Sequence, residues 1–386
     1  MNKMYNFDKV IDRSKSNSIK WNNCDGIIPL WIADMDFPCA NEITEQIINR
    51  AKHSIYGYTN VPEAVYEAII KWQYDHNGIK LNKNNLVFNV GVMQGIYLAI
   101  KLLTTKKDKI IIQTPIYPPF INTPKELQRE CVFNPLINTD GYYTMDLVGL
   151  EDKLKNDPDI KVMLLCNPHN PVGRVWTKKE LNDLLTILDR YQIFLICDEI
   201  HGDLMMKNHK LTSIYNVDEK YNNRIIVMSS PTKTFNIAGI KIAYTMIKDI
   251  KLQERFAHEA KNCGISAINI FGYEAIIAAY NHGQVWLDEA LEYIEGNFDY
   301  LKEYLQKYLP KCHYLKPEGT YLAWVDFGEY GVKEDFCSIL TKEARVFLNA
   351  GVNYSEDTKT YARINVACPR STLTKGLDRI REYFTK

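Results

Sequence analysis

The chain carries no excess charge of either sign: in 386 residues, Lys plus Arg and Asp plus Glu number 47 each. That balance argues against electrostatic capture of nucleic acid or of an anionic membrane surface. No apolar run reaches the length that spans a bilayer, and Met1-Asn-Lys-Met-Tyr-Asn-Phe-Asp8 has no apolar signal core. The nine cysteines are odd in number and scattered, with no Cys-x-x-Cys pair. Cys166 and Cys197 fall inside apolar runs, where a thiol serves as a small core residue. These absences predict a reduced, cytoplasmic protein without structural disulfides or zinc. There is also no internal repeat, no low-complexity linker, and neither a dinucleotide fingerprint nor a P-loop.

What is present is an ordinary globular composition, 46% hydrophobic and 24% charged, on a chain long enough for two domains and a large core. Asn41 is placed to cap a helix running to about His53, and Pro62 fits the first turn of a second helix ending near Gly78. The connector between them, Tyr56-Gly-Tyr-Thr59, is too aromatic for a plain loop. From Leu86 to about Ile247 strand and helix patterns alternate. Strands are expected at 86–90, 109–113, 132–136, 162–166, 194–197, 225–229 and 242–246, with helices such as 93–103 and 178–191 between them. Such alternation predicts a mostly parallel sheet covered on both faces. Beyond it, helices at 252–261, 270–281 and 285–308, strands at 321–327 and 360–366, and a closing helix at 374–384 give α+β character. The expected division is a large α/β domain over 42–285 and a smaller α+β domain built from 1–41 and 286–386.

Six stretches carry chemistry. Lys233 follows the apolar run Ile225-Ile-Val-Met228 in Ser229-Ser-Pro-Thr-Lys-Thr-Phe-Asn-Ile-Ala-Gly239. Strand ends in open α/β sheets face ligand crevices, and a desolvated amine there can form a Schiff base. Asp198-Glu-Ile-His201 ends the apolar strand Ile193–Cys197, where a carboxylate is costly unless paired with a cation. A protonated pyridine nitrogen is one such partner and an arginine is another. A metal site lacks a third clustered ligand beside Asp198 and His201, since His169 belongs to another loop. Gly91-Val-Met-Gln-Gly95 opens a helix after a strand, which suits one phosphate group as well as an unliganded tight turn. Asn167-Pro-His-Asn-Pro-Val-Gly173 makes a rigid polar turn at a strand's carboxyl end. After it, Thr177 and Glu180 have the spacing of a capping box. Arg363, flanked by apolar residues in Tyr361–Arg370, suggests bidentate recognition of a carboxylate or a buried ion pair. Tyr117, in Thr114-Pro-Ile-Tyr-Pro-Pro-Phe120, could offer a ring face to a planar ligand or pack in the core.

Taken in chain order the stretches resemble the fold-type I pyridoxal-phosphate enzymes, and within them the MalY/PatB-type cystathionine β-lyases, or C–S lyases. The likeness runs from about Phe7 to the C-terminus. It rests on Pro29-Leu-Trp-Ile-Ala-Asp-Met-Asp-Phe-Pro38, Tyr56–Thr59, Asn167–Trp176, Asp198–Asp203, Lys233–Gly239 and Arg363–Arg370. The resemblance implies pyridoxal 5′-phosphate (PLP) joined to Lys233, with Asp198 on the pyridine nitrogen and Asn170 on the phenolic oxygen. Tyr117 would stack on the ring, and the backbone of Val92 and Met93, with Thr232 and Lys241, would hold the phosphate. Arg363, with Ala33 and Asn170, would receive the substrate, and Tyr58 would reach the phosphate from a neighbouring subunit of a homodimer. His201 is counted with the cofactor residues; it stands where most fold-type I aminotransferases have tyrosine, as in the lyase branch. Lys241 replaces a phosphate-binding arginine common among aminotransferases. Asn353-Tyr-Ser-Glu-Asp-Thr-Lys359 is polar where the branch often has a glycine-rich loop, a departure that bears on substrate choice.

The implied reaction is β-elimination from L-cystathionine or a related cysteine S-conjugate, giving pyruvate, ammonia and a thiol. An aminotransferase would use the same residues differently, and a PLP-bearing regulatory or binding protein is the alternative of another class.

Overall fold

The computed structural model describes residues 4–22, 24–265 and 268–386. The opening Met1-Asn-Lys3 of the stretch read for a signal core lies outside them. A seven-stranded sheet forms where the apolar, β-branched runs were expected. Its spatial order is Leu86–Asn89, Ala243–Met246, Ile225–Ser229, Phe194–Asp198, Ile160–Cys166, Lys109–Ile112, Glu130–Phe133. The last five run parallel, and Ala243–Met246 lies antiparallel to both of its neighbours.

Alternating residues of these strands feed two separate cores, which is why the runs are apolar throughout. Ile110, Ile112, Val162, Leu164, Ile196 and Ile226 pack with helices Val92–Leu103 and Ile250–Asn262. Ile111, Met163, Leu165, Leu195, Ile225 and Val227 join the other core with helices Lys178–Arg190 and Ile270–His282.

A smaller antiparallel sheet follows, in the order His313–Tyr314, Leu322–Asp326, Tyr361–Asn365, Asn349–Ala350. The N-terminal segment joins this region, since Ile28–Pro29 pairs in parallel with Val346–Phe347. Helix Arg370–Phe384 closes it by burying Leu373, Leu377 and Ile380. No described helix is long and apolar enough to cross a membrane. All nine cysteines are free thiols.

Local signals met mixed outcomes. The Thr177–Glu180 capping box forms in both directions, and Gly78 ends its helix in the left-handed region that favours glycine. Asn41 is not a cap. It is the first residue of helix Asn41–Lys52, and Ala40 before it offers no side-chain acceptor. Pro62 likewise stands one residue before helix Glu63–Asn77. The strand expected at 132–136 sits earlier, at Glu130–Phe133, although the Asn134 and Leu136 N–H groups still donate to the Ile112 and Thr114 carbonyls beyond it.

Candidate active site

The parallel strands end together, and their carboxyl ends supply most of the site. Cys166 and Asp198 are register partners on neighbouring strands, and Asp198 and Met228 on the next pair. Beyond Ser229 the chain turns into the short helix Pro231–Thr234, with the Ser230 hydroxyl accepting the Thr232 N–H at 3.1 Å. This turn swings Lys233 over the strand ends. Lys233, Asp198, His201, Thr232, Lys241, Tyr117, Asn170, Val92, Met93, Ala33 and Arg363 all line one cavity of about 390 Å³. Of the residues expected in the site only Tyr58 is absent from it, lying fully exposed on the connector.

Lys233 Nζ donates to the carbonyl of Ala33 at 2.6 Å. Burial, followed by the charge of Arg363, lowers its pKa to about 8, with Asp34 and Asp198 pulling the other way. At pH 7, one unit below that value, about a tenth of the amine is neutral, far more than of an ordinary lysine, and the neutral form is the one that serves as nucleophile or base.

Asp198 is buried and has no ion-pair partner among the described residues; its Oδ1 accepts the Ile200 N–H at 2.9 Å. Burial raises its pKa to about 7, opposed by that N–H and by Lys233. The arginine partner that the sequence left open is not there.

Arg363 shows the mirror image. It is buried on strand Tyr361–Asn365, donating to Asn170 Oδ1 at 3.0 Å and to the Trp31 carbonyl at 2.9 Å. Its Nε has no partner among the described residues, and no carboxylate pairs with it. The ring of Tyr354 lies under its guanidinium, 5.3 Å from the carbon to the ring centroid.

At the other end, helix Val92–Leu103 begins after Gly91, and its first intrahelical bond comes from Gln94. The N–H groups of Val92 and Met93 precede that bond at the positive end of the helix. Thr232 and Lys241, the latter in the left-handed region at φ 60, border the same space. Tyr117 is tied to the neighbouring loop by its N–H, which donates to the Asn170 carbonyl at 3.1 Å. His201 is buried, its Nδ1 without a partner among the described residues, and burial, then Lys233 and Arg363, lower its pKa to about 3. It is a neutral imidazole at physiological pH.

A buried carboxylate and a buried guanidinium without ion pairs among the described residues, an amine of lowered pKa and a helix N-terminus fit PLP and an amino acid. The ring nitrogen supplies a cation for Asp198 and the phosphate an anion for the helix end. Sequence reasoning gave no role to Asn349, which lines the cavity and is the register partner of Arg363. Its isolated position on a two-residue strand carries no pattern that could have revealed it. Nor did it assign the Trp31 carbonyl, although the surrounding stretch was singled out.

The family profile "Aminotransferase class I and II" matches residues 26–380. The chain is 34% identical to cystathionine beta-lyase PatB of Bacillus subtilis, over 97% of this chain and 99% of that one. Among solved structures, a PLP-bound protein of Clostridium difficile 630, provisionally described as an aminotransferase, superposes with a TM-score of 0.95. It is 39% identical and covers 98% of this chain and 100% of its own. The PLP-bound C–S lyase of Staphylococcus hominis gives 0.94 at 33% identity, covering 99% of this chain and 98% of its own. Shared architecture extends over the whole length, as expected of the fold-type I PLP enzymes, and the chain belongs to the aminotransferase class I and II family.

Proposed function

We propose that the protein is a PLP-dependent carbon–sulfur β-lyase that cleaves L-cystathionine or related cysteine S-conjugates to pyruvate, ammonia and a thiol. The observation that carries this is the convergence of Lys233, unpaired Asp198 and unpaired Arg363 on one cavity, in a chain that matches cystathionine β-lyases along its whole length.

When bound, PLP supplies an electron sink for the carbon that loses its proton. Lys233 would hold it through Nζ and would be the base placed to remove the proton from the substrate Cα. Asp198 would hold a proton at the pyridine nitrogen. Asn170 gives Oδ1 to Arg363, which leaves Nδ2 free to donate and would suit the phenolic oxygen. Tyr117 would cover one ring face. Val92, Met93, Thr232 and Lys241 would bind the phosphate, and neutral His201 would add no charge to the cofactor site. Arg363 binds the substrate carboxylate while Asn170 and Ala33 border it. We further propose a cytoplasmic homodimer in which Tyr58 of one subunit serves the other's site. The fully exposed Tyr58 and the exposed Tyr56 and Ile55 beside it support that reading.

The rival is transamination on the same residues, which the C. difficile neighbour keeps in view. Incubation with L-cystathionine, with and without a keto acid, separates the two. Pyruvate and free thiol without any keto acid support the lyase; turnover that strictly requires an amino acceptor gives the site to an aminotransferase.

A further inference from the structure

The segment Trp31–Phe37 has no helix or strand, yet side chains from distant parts of the chain hold its carbonyls. Arg363 donates to Trp31, and Lys233 donates to Ala33. Asn365 Nδ2 reaches Ile32 at 2.7 Å and Asp34 at 2.8 Å; Asn236 Nδ2 reaches Met35 at 3.1 Å and Phe37 at 2.7 Å. Two of these donors are the groups on which the proposed reaction depends.

The carboxylates of the same segment are held from the other side by the N-terminal region. Arg13 bridges both, through NH2 to Asp34 Oδ2 at 2.8 Å and NH1 to Asp36 Oδ1 at 2.9 Å. NH1 also donates to the Met35 carbonyl at 3.0 Å. Lys20, with no exposed surface, pairs with Asp36 Oδ2 at 2.7 Å and donates to the Asp34 carbonyl at 2.8 Å. Trp21 Nε1 completes Asp36 at 2.8 Å. A buried pair such as Lys20–Asp36 is a poor source of stability, because desolvation offsets most of the attraction. What a fully bonded ionic cluster can provide is fixed geometry for the groups it supports.

We infer that Arg13 and Lys20 are positioning residues, which by clamping Asp34 and Asp36 fix the Ala33 and Trp31 carbonyls and so aim Lys233 and Arg363. The inference rests on the roles proposed above for those two groups.

Arg13→Gln in the full-length chain tests it, with Arg13→Lys as a charge-keeping variant that can grip only one carboxylate at a time. The first readout is the pH dependence of Lys233 acylation in PLP-free protein, followed by mass spectrometry. Arg363, Asp34, Asp198 and Lys241 all act on that amine besides burial. Loosening the segment admits water and frees the Asp34 charge, and both changes favour the ammonium. The midpoint is expected to rise by about half a pH unit or more in Arg13→Gln, and by less in Arg13→Lys. In the PLP-loaded enzyme kcat falls about ten-fold or more and KM rises with it, as displaced catalytic groups require. If the labelling midpoint, kcat and KM match wild type while only Tm falls, Arg13 is a structural strut and the inference is wrong. A wild-type chain without lyase activity would overturn the proposed function instead, and the labelling midpoint alone would then decide this inference.

Discussion

Asp198 and Arg363 face the same cavity as buried ions of opposite sign, yet they do not pair with each other. In an ordinary core, charges left this way would be brought together or replaced, because each is expensive alone. Here the fold keeps them on strands of different sheets, so each can meet a ligand group of opposite charge. The arrangement sacrifices stability of the empty chain for binding, which leads to the first prediction.

The Asp198 carboxyl has a folded-state pKa of about 7, above its ordinary 3.8, chiefly through burial. The folded chain thus holds this proton more tightly than the unfolded chain. The stability it contributes is full below about pH 4 and is lost as pH rises through about 7. Asp198→Asn should therefore raise the Tm of PLP-free protein at pH 8 and leave it unchanged near pH 4. At about 1.4 kcal/mol per pH unit, the gain at pH 8 is on the order of a few kcal/mol. Glu199 shifts in the same direction but is common to both proteins. The same substitution should weaken PLP binding. Equal Tm at pH 8 would mean that Asp198 is not an uncompensated charge.

Lys233 should be the one lysine that carries the cofactor. The purified protein should be yellow, and borohydride should fix PLP to a single peptide containing Lys233. Label on another lysine, or a chain that stays colourless after PLP is added, would exclude the assignment.

Arg363→Ala removes a bidentate charged contact worth about 1.5–3 kcal/mol, so kcat/KM should fall at least ten-fold. It also takes the donor from Asn170 Oδ1 and the Trp31 carbonyl. Unchanged kinetics with cofactor bound would reduce Arg363 to a structural role.

The positions of these groups were legible because strand ends are legible. The run Ile225–Met228 fixes where Lys233 emerges, and Phe194–Cys197 does the same for Asp198. Arg363 was visible as a charge among apolar neighbours, but its lack of a carboxylate partner depends on what folds around it. Asn349 and the Arg13–Asp36 cluster were invisible for a related reason. Asn349 sits on a strand of only two residues, and the Arg13–Asp36 contacts run through irregular backbone, so no period of 2 or 3.6 marks a face in either. The misplaced cap at Asn41 shows the smaller limit: helix starts slide by a residue when only one polar candidate is present.

Tyr58 provides the test of subunit geometry, since it is fully exposed and outside its own chain's cavity. Suppose that Tyr58→Ala and Lys233→Ala each remove most activity. In a hybrid dimer of the two variants, a site served from across the interface would combine both lesions, and the second site would carry neither. Random re-pairing makes half the dimers hybrid, so about a quarter of wild-type activity should return under two-fold symmetry. If Tyr58 served its own subunit, every site would keep one lesion and mixing would restore nothing. Exchange has to be demonstrated separately, by recovering dimers that carry two different tags. Doubly tagged dimers without regained activity would rule out sites shared through Tyr58.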